Sequence, residues 1–204
     1  MNFFAHLALA EPSALSRYGN LLGDFCHGIE LQTLPPAIHA AVLRHRAVDR
    51  FTDSAAEISQ AKALFSPERR RFAPVIIDVL FDHFLLRHWG SLDPRDLSQL
   101  CQHIYQQLWQ QRNSMPPAMA TTVSALVRED WFACYQQLDN IGFALDKIAS
   151  RIRFENSFAG SISEIRLHQT ELEALFLQFY PRLQNYVTQL GPELDALLTK
   201  PDTH

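Results

Sequence analysis

Apolar residues recur three and four positions apart along most of this 204-residue chain, whereas alternation of apolar and polar residues is scarce. That spacing is typical of amphipathic helices, because a helix completes a turn every ~3.6 residues. Proline and glycine divide the pattern into segments of ordinary helix length. The main breaks are Pro35-Pro36, Pro67, Gly90 with Pro94, Pro116-Pro117, Gly142, Gly160 and Gly191-Pro192. The sequence therefore predicts an all-α fold of about ten helices in a single domain, residues 1–204.

Two helix starts are predicted from local chemistry. Ser54-Ala-Ala-Glu57 has the spacing of a capping box, and Pro35-Pro36 precedes an amphipathic segment, where a proline fits the first turn. Pro74 and Pro181 fall within otherwise helical patterns. Each is expected to kink its helix or to mark a first turn, because proline lacks the N–H that a helix interior needs.

Composition excludes several classes of protein. A formal net charge of −4 argues against a general nucleic-acid binder, and three separated cysteines without a CxxC pair suggest neither a disulfide framework nor a thiolate zinc site. No apolar run reaches the ~18 residues of a membrane-spanning helix. A soluble protein of the reducing cytoplasm is expected.

The segment DVLFDHFLLRHW, residues 78–89, is apolar enough for a buried helix yet carries ionisable side chains. Asp78 and Asp82 are four residues apart, so their carboxylates share one helix face and repel each other when buried. A bound cation would relieve that repulsion, with His83 as a neighbouring ligand. In the alternative interpretation Asp78 caps a helix or faces solvent, and Asp82 pairs with Arg87 or another arginine.

The segment LRHRAVDRFTD, residues 43–53, repeats this spacing. His45 and Asp49 are four residues apart, which lets an imidazole and a carboxylate on successive turns reach one divalent ion. Asp53 lies one turn further, but it stands where the next helix needs an N-cap, so capping is its favoured role.

Two further segments supply candidate ligands. In GNLLGDFCHG, residues 19–28, Asp24 ends an apolar run flanked by glycines, with Asn20 and His27 as polar neighbours. Asp24 alone is also compatible with a turn or cap. His6 lies on the apolar N-terminal helix, where a single histidine is more often a hydrogen-bonded core residue than a ligand.

The candidate ligands are richer in carboxylate than in imidazole and include no thiolate, which suits Mn²⁺, Mg²⁺ or Fe²⁺ better than a structural zinc ion. A metal with an open position activates water and polarises a phosphoryl oxygen, so phosphoester hydrolysis is the expected chemistry. No GxxxxGK[ST], GxGxxG or GxSxG motif competes with this interpretation. The arginines that can bind phosphate or an acidic partner are Arg44, Arg46, Arg50, Arg69, Arg70, Arg71 and Arg87, with His88 beside the last.

Several blocks resemble acyl carrier protein phosphodiesterases, from residue 1 to about residue 185, in the same order. The blocks are NFFAHLALA, GNLLGDF, RHRAVDRFTD, RRRFAPVIIDVLFDHFLLRHW and LEALFLQFYPRL. The resemblance implies a divergent HD-domain-like helical fold, Mn²⁺ as activator, and removal of 4′-phosphopantetheine from the serine of holo acyl carrier protein, an acidic partner. HD domains are named for an adjacent His-Asp pair of ligands. No such dipeptide occurs here, although the reversed Asp82-His83 does.

The expected mechanism places Asp24, Asp82 and His83, with one or both of His45 and Asp49, around the metal. Asp78 or Asp49 is the expected general base, and His45 is a candidate to protonate the leaving serine oxygen. Two other classes remain open, a phosphohydrolase of nucleotides or other small phosphoesters and a non-catalytic helical binding protein. The sequence does not determine the oligomeric state.

Overall fold

The computed structural model describes residues 1–197, and these form α-helices, short 3₁₀ turns and connecting loops without strands. The predicted all-α fold is confirmed. The eleven α-helices of this part of the chain are α1 Phe3–Leu9, α2 Ala14–Leu22, α3 Pro36–Ser54, α4 Ala56–Ala63, α5 Ala73–Leu92, α6 Leu97–Gln111, α7 Pro117–Arg128, α8 Trp131–Cys134, α9 Leu138–Ala149, α10 Ile162–Leu167 and α11 Gln169–Gln189. The 3₁₀ turns are Gly23–Phe25, Leu31–Thr33, Arg70–Phe72, Arg112–Ser114 and Glu193–Leu197.

Helix α5 runs through the hydrophobic core, and it is apolar on almost every face. Residues of α5 pack against α1, α4, α6, α9 and α11. Phe81 and Phe84 are fully buried and meet Phe176 of α11, with ring centroids 5.2 and 5.8 Å apart. A helix that is apolar all round belongs in the interior, because each face can then remove apolar surface from water. None of the helices formed by residues 1–197 combines the length and the apolarity needed to cross a membrane.

Helices α2 and α3 pack unusually close together. A Cβ on Gly19 would lie 2.5 Å from the Ala41 Cβ and 2.5 Å from the Ile38 carbonyl oxygen, so only a residue without a side chain fits there. This close packing brings the turn after α2 next to the middle of α3. Asp24 and His45 therefore become neighbours in space.

Helix α1 is fixed by a side chain from α5. Both carboxylate oxygens of Asp82 accept backbone N–H groups at the start of α1, from Phe4 at 2.8 Å and from Ala5 at 3.1 Å. The first N–H groups of a helix have no partner within it, so a distant carboxylate satisfies them here. Asp82 thus sets the position of α1 and of His6 on it.

The predicted capping box at Ser54-Ala-Ala-Glu57 is wrong. Ser54 is the last residue of α3, and Ala55 precedes α4 without a side-chain cap. The Glu57 carboxylate instead bonds Arg182 of α11. A tertiary ion pair has taken the glutamate that a capping box would have used.

The predictions that Pro36 and Pro74 lie in the first turns of helices are confirmed. Pro36 begins α3 and Pro74 lies in the first turn of α5, as expected. Pro181 lies inside α11, which continues to Gln189. The kink expected there stays a prediction.

Candidate metal centre

Three side chains from two helices converge beside the start of α1. Asp49 lies between two imidazoles, with its Oδ1 3.1 Å from His6 Nε2 and its Oδ2 3.0 Å from His45 Nε2. One ligand atom from each residue lies within 4.8 Å of the other two. Two imidazole nitrogens and a carboxylate oxygen at this spacing are a donor set that fits a divalent metal ion.

The two histidines form a stacked and almost fully buried pair. Their ring centroids are 3.9 Å apart and their planes differ by 24°. Burial lowers the pKa of His6 to about 3, although Asp49 opposes that change. His6 is therefore a neutral imidazole at physiological pH, which is the form that binds metals.

Asp49 is the anion of the group. Burial acts to raise its pKa, but the hydrogen bonds with His45 and His6 outweigh burial and hold the pKa below its usual range. Asp49 also remains 41% exposed at its side chain, so its carboxylate reaches the cavity. An ionised, partly accessible carboxylate is available to a cation from solvent.

The cavity beside this group has a volume of ≈ 170 Å³ and an acidic lining. Its walls are formed by Met1, Asp24, Asp49, Thr52, Asp53 and Asp78. Four carboxylates around one small cavity repel each other and favour a bound positive charge. The Met1 ammonium supplies one such charge, 3.2 Å from Asp78 Oδ1 and 3.8 Å from Asp49 Oδ1.

Asp24 stands at the edge of the group. Its Oδ1 is 3.8 Å from His45 Nε2, and 38% of its side chain is accessible. Burial raises the pKa of Asp24 to about 6, against the effect of His45 and in the same direction as the effect of Asp49. Asp24 and Asp49, which the sequence analysis assigned to one metal site with His45, both lie beside that imidazole. Their role as metal ligands stays a prediction.

Gly23 makes room for His45. A Cβ at this position would lie 2.2 Å from the His45 Cγ and Cδ2 atoms, closer than real Cβ contacts. The glycine in GNLLGDF is therefore required by the approach of an imidazole from α3.

We expect Gly23→Ala to displace the His45 ring, reducing the free energy of unfolding by about 1–3 kcal/mol and weakening Mn²⁺ binding. Chemical denaturation and metal titration measure the two effects. Gly90→Ala is the matched control, because a Cβ there meets no atom within 4 Å and alanine favours a helix. Wild-type stability and metal affinity in Gly23→Ala would contradict this account.

Asp82 and His83 lie outside the group, contrary to their predicted place in one ligand set with Asp24. Asp82 is 1% exposed and its oxygens are occupied by the N–H groups of α1. Burial raises its pKa to about 7, and the Phe4 and Ala5 N–H groups oppose that rise. His83 contacts a different part of the molecule, because its Nδ1 is hydrogen-bonded to the Tyr135 carbonyl oxygen at 2.7 Å.

Asp78 and Asp53, in contrast, both face the cavity. Asp78 lines the cavity, whereas Asp82, its predicted partner, accepts hydrogen bonds from the start of α1. Asp53 remains within α3, so its favoured role as the N-cap of the next helix is wrong. The α3 helix carries Asp53 one turn beyond Asp49 and onto the same wall.

Several of the predicted polar residues have internal structural partners. Asn20 donates to Glu193 Oε1 at 2.8 Å, and Arg44, which is buried, donates to the Gly191 carbonyl oxygen. These contacts hold the C-terminal 3₁₀ turn against α2 and α3. His88 bonds Glu173 of α11, and His27 is exposed beyond the 3₁₀ turn that carries Asp24.

The arginine run after Pro67 is mostly engaged. Arg69 donates to Glu164 Oε1 at 2.7 Å and to the carbonyl oxygens of Ser157 and Ala159. Arg70 donates to the Phe65 carbonyl oxygen, and the Arg71 guanidinium lies over the Phe72 and Phe154 rings. Arg69 therefore connects the segment before α5 to the loop before α10, which is a structural role.

Five of the predicted arginines are exposed, namely Arg70 and Arg71 of the run after Pro67 and three others. Arg46 and Arg50 lie on α3, each one residue beyond a member of the histidine–aspartate group. Arg87 is exposed on α5, 3.8 Å from Glu173.

Two lining residues were not foreseen from the sequence. Thr52 and Met1 carry no charged or imidazole side chain. They meet at the cavity because α1 packs against α5 and contacts α3 through the His6 and His45 rings. Thr52 could have been predicted, because it follows Asp49 by three residues and therefore lies on the same face of the helix.

The chain matches a family of known proteins over most of its length. The matching family model is described as Acyl carrier protein phosphodiesterase and spans residues 1–183. An acyl carrier protein phosphodiesterase of Enterobacter sp. (strain 638) is 37% identical over 184 residues, covering 90% of this chain and 95% of that protein. Those of Shigella boydii serotype 18 and Serratia proteamaculans (strain 568) match with the same identity and coverage. No solved structure matched. At this identity and coverage, the chain belongs to the acyl carrier protein phosphodiesterase family.

Proposed function

We propose that this chain is a metal-dependent phosphodiesterase that hydrolyses holo acyl carrier protein. The products are apo acyl carrier protein, with a free serine, and 4′-phosphopantetheine. The observation that carries the proposal is the convergence of His6, His45 and Asp49 on an acidic cavity, in a chain of this family.

His6, His45 and Asp49 would hold the metal ion, with Asp24 beside them. The carboxylates around the cavity favour an ion that accepts oxygen ligands, so Mn²⁺ is the expected activator and Mg²⁺ or Fe²⁺ the alternatives. When bound, such an ion supplies an activated water and polarises the phosphoryl oxygens.

We assign the role of general base to Asp78. Its carboxylate faces the cavity and 45% of its side chain is accessible, whereas both oxygens of Asp49 already face imidazoles. Asp78 accepts the proton of the water that attacks phosphorus, while the bond from phosphorus to the serine oxygen breaks. We assign the protonation of that serine oxygen to Asp24, because 38% of its side chain is accessible and because His45 Nε2 belongs to the ligand group.

We assign the reception of an acidic carrier protein to Arg46 and Arg50. Both are exposed on α3 beside the ligand residues, whereas Arg44 and Arg69 are bonded to backbone carbonyl oxygens. A basic surface next to an active site increases the rate at which an acidic substrate is captured.

We expect the double variant Arg46→Glu, Arg50→Glu to lower kcat/KM for holo acyl carrier protein by about tenfold at low salt, mainly through KM, because like charges then face each other. The difference from wild type should shrink as salt rises. Steady-state kinetics at two ionic strengths measure both effects. Arg128→Glu, on the exposed surface of α7, is the matched control. Equal effects of the control and the double variant would remove α3 from the docking surface.

The proposed function is tested by intact-protein mass spectrometry of holo acyl carrier protein, incubated with the protein and Mn²⁺ or with chelator. Loss of the 4′-phosphopantetheine mass with Mn²⁺ alone is the expected result. A folded protein that leaves holo acyl carrier protein intact and hydrolyses nucleotides would instead identify a phosphohydrolase of small phosphoesters.

A further inference from the structure

Four aromatic side chains form a continuous row, and two of them are close in sequence to residues that line the acidic cavity. Phe25 stacks with Phe3, Phe3 with Trp131, and Trp131 with Tyr135, at centroid distances of 6.3, 6.4 and 6.4 Å. The rings are nearly parallel at each step, with interplanar angles of 25°, 16° and 9°. All four are partly accessible to solvent. Rings at these distances are offset, so part of each face stays open.

The backbone connects the row to the site. Phe25 directly follows Asp24, and Phe3 follows Met1 by two residues; Asp24 and Met1 both line the cavity. The rings come from α1, the 3₁₀ turn after α2, α8 and the residue that follows α8. The row could not be predicted from the periodicity of one helix, because its residues come from separate elements.

Hydrogen bonds hold Trp131 and the backbone next to Phe3 in place. Trp131 Nε1 donates to Glu129 Oε2 at 3.1 Å. The backbone of α1 directly after Phe3 is fixed because Asp82 bonds the Phe4 and Ala5 N–H groups. Rings ordered in advance bind a ligand with less loss of conformational entropy.

We propose that this aromatic row binds the pantetheine arm of the substrate as it extends from the phosphodiester in the cavity. The inference rests on the proposed function. The arm is an elongated, uncharged chain with two methyl groups, a hydroxyl and two amides, so flat apolar rings suit its methyl groups and amide planes. The row contains no charged side chain, whereas an acidic protein surface would be received by arginines such as those on α3.

The test is direct binding to the Mn²⁺-loaded protein, measured by titration calorimetry with 4′-phosphopantetheine and with inorganic phosphate. Wild type should bind 4′-phosphopantetheine more tightly than phosphate. Trp131→Ala should raise the Kd for 4′-phosphopantetheine by about tenfold, the effect of losing most of one ring's apolar contact, and leave the Kd for phosphate as in wild type. Trp131→Leu keeps an apolar side chain and should fall between the two, which preserves the test if alanine impairs folding.

The control is Phe143→Ala, which removes a 72% exposed ring on α9, away from the row. Unchanged 4′-phosphopantetheine binding in both Trp131 variants would overturn the proposal. A raised KM for holo acyl carrier protein without weaker binding of the free arm would also overturn it, because the row would then contact the carrier protein. Failure of the proposed function is a separate result, since wild type would then leave holo acyl carrier protein uncleaved whatever its affinity for 4′-phosphopantetheine.

Discussion

Asp49→Asn is expected to lower kcat for holo acyl carrier protein by a factor on the order of 10³ and to weaken Mn²⁺ binding strongly. Asp49 is the only carboxylate of the described residues that lies between His6 and His45, and these imidazoles hold its pKa below the usual range. Asparagine has nearly the same shape but carries no negative charge. The charge that balances the cation is therefore lost while the fold is kept.

The measurement combines mass-spectrometric turnover with the Mn²⁺ content of the purified protein. His6→Ala should reduce both as well, because it removes one ligand nitrogen. Asp139→Asn and His103→Ala are the matched controls, since both residues lie on the exposed surface. An Asp49→Asn protein that binds Mn²⁺ and turns over as wild type does would exclude this carboxylate from the metal site.

The local part of the candidate site could be predicted from the sequence. His45 and Asp49 are four residues apart on one helix, so their proximity follows from helix geometry alone. Asp24 was identified because it follows a glycine-flanked apolar run. The place of His6 was harder to foresee, because an imidazole on an apolar helix is more often a hydrogen-bonded core residue than a ligand.

Asp82 and His83 illustrate what sequence patterns cannot separate. A carboxylate on an apolar helix needs a partner, and burial predicts that need correctly. The partner can be a cation or a set of backbone N–H groups, and the choice depends on which element packs there. Here the start of α1 packs against Asp82, so the helix terminus satisfies the carboxylate.

Long-range partners also explain the other differences. Glu57 has the spacing of a capping box but bonds Arg182, which is 125 residues away. Arg69 lies in a basic run that resembles a docking surface but bonds Glu164, 95 residues away. Helix positions follow from the periodicity of the sequence, whereas the partners of charged side chains follow from how the helices pack.

Asp82→Ala is expected to reduce the free energy of unfolding by about 2–5 kcal/mol. The substitution leaves the Phe4 and Ala5 N–H groups buried without an acceptor and removes the carboxylate that fixes α1. Asp82→Asn keeps one acceptor oxygen and should lose less. Denaturant unfolding in the presence of chelator, at pH 8 and so above the Asp82 pKa of about 7, measures the effect on the ionised carboxylate.

The same measurement decides between the two roles of Asp82. If this residue were a metal ligand, as its sequence context suggested, Asp82→Ala without metal would be about as stable as wild type and only Mn²⁺ binding would fall. If it anchors α1, stability falls without metal, and Mn²⁺ binding weakens as well because α1 carries His6. Asp96→Ala is the matched control: Asp96 caps the exposed start of α6 by accepting the Gln99 N–H at 2.8 Å, so its loss should cost only about 1 kcal/mol and leave Mn²⁺ binding unchanged.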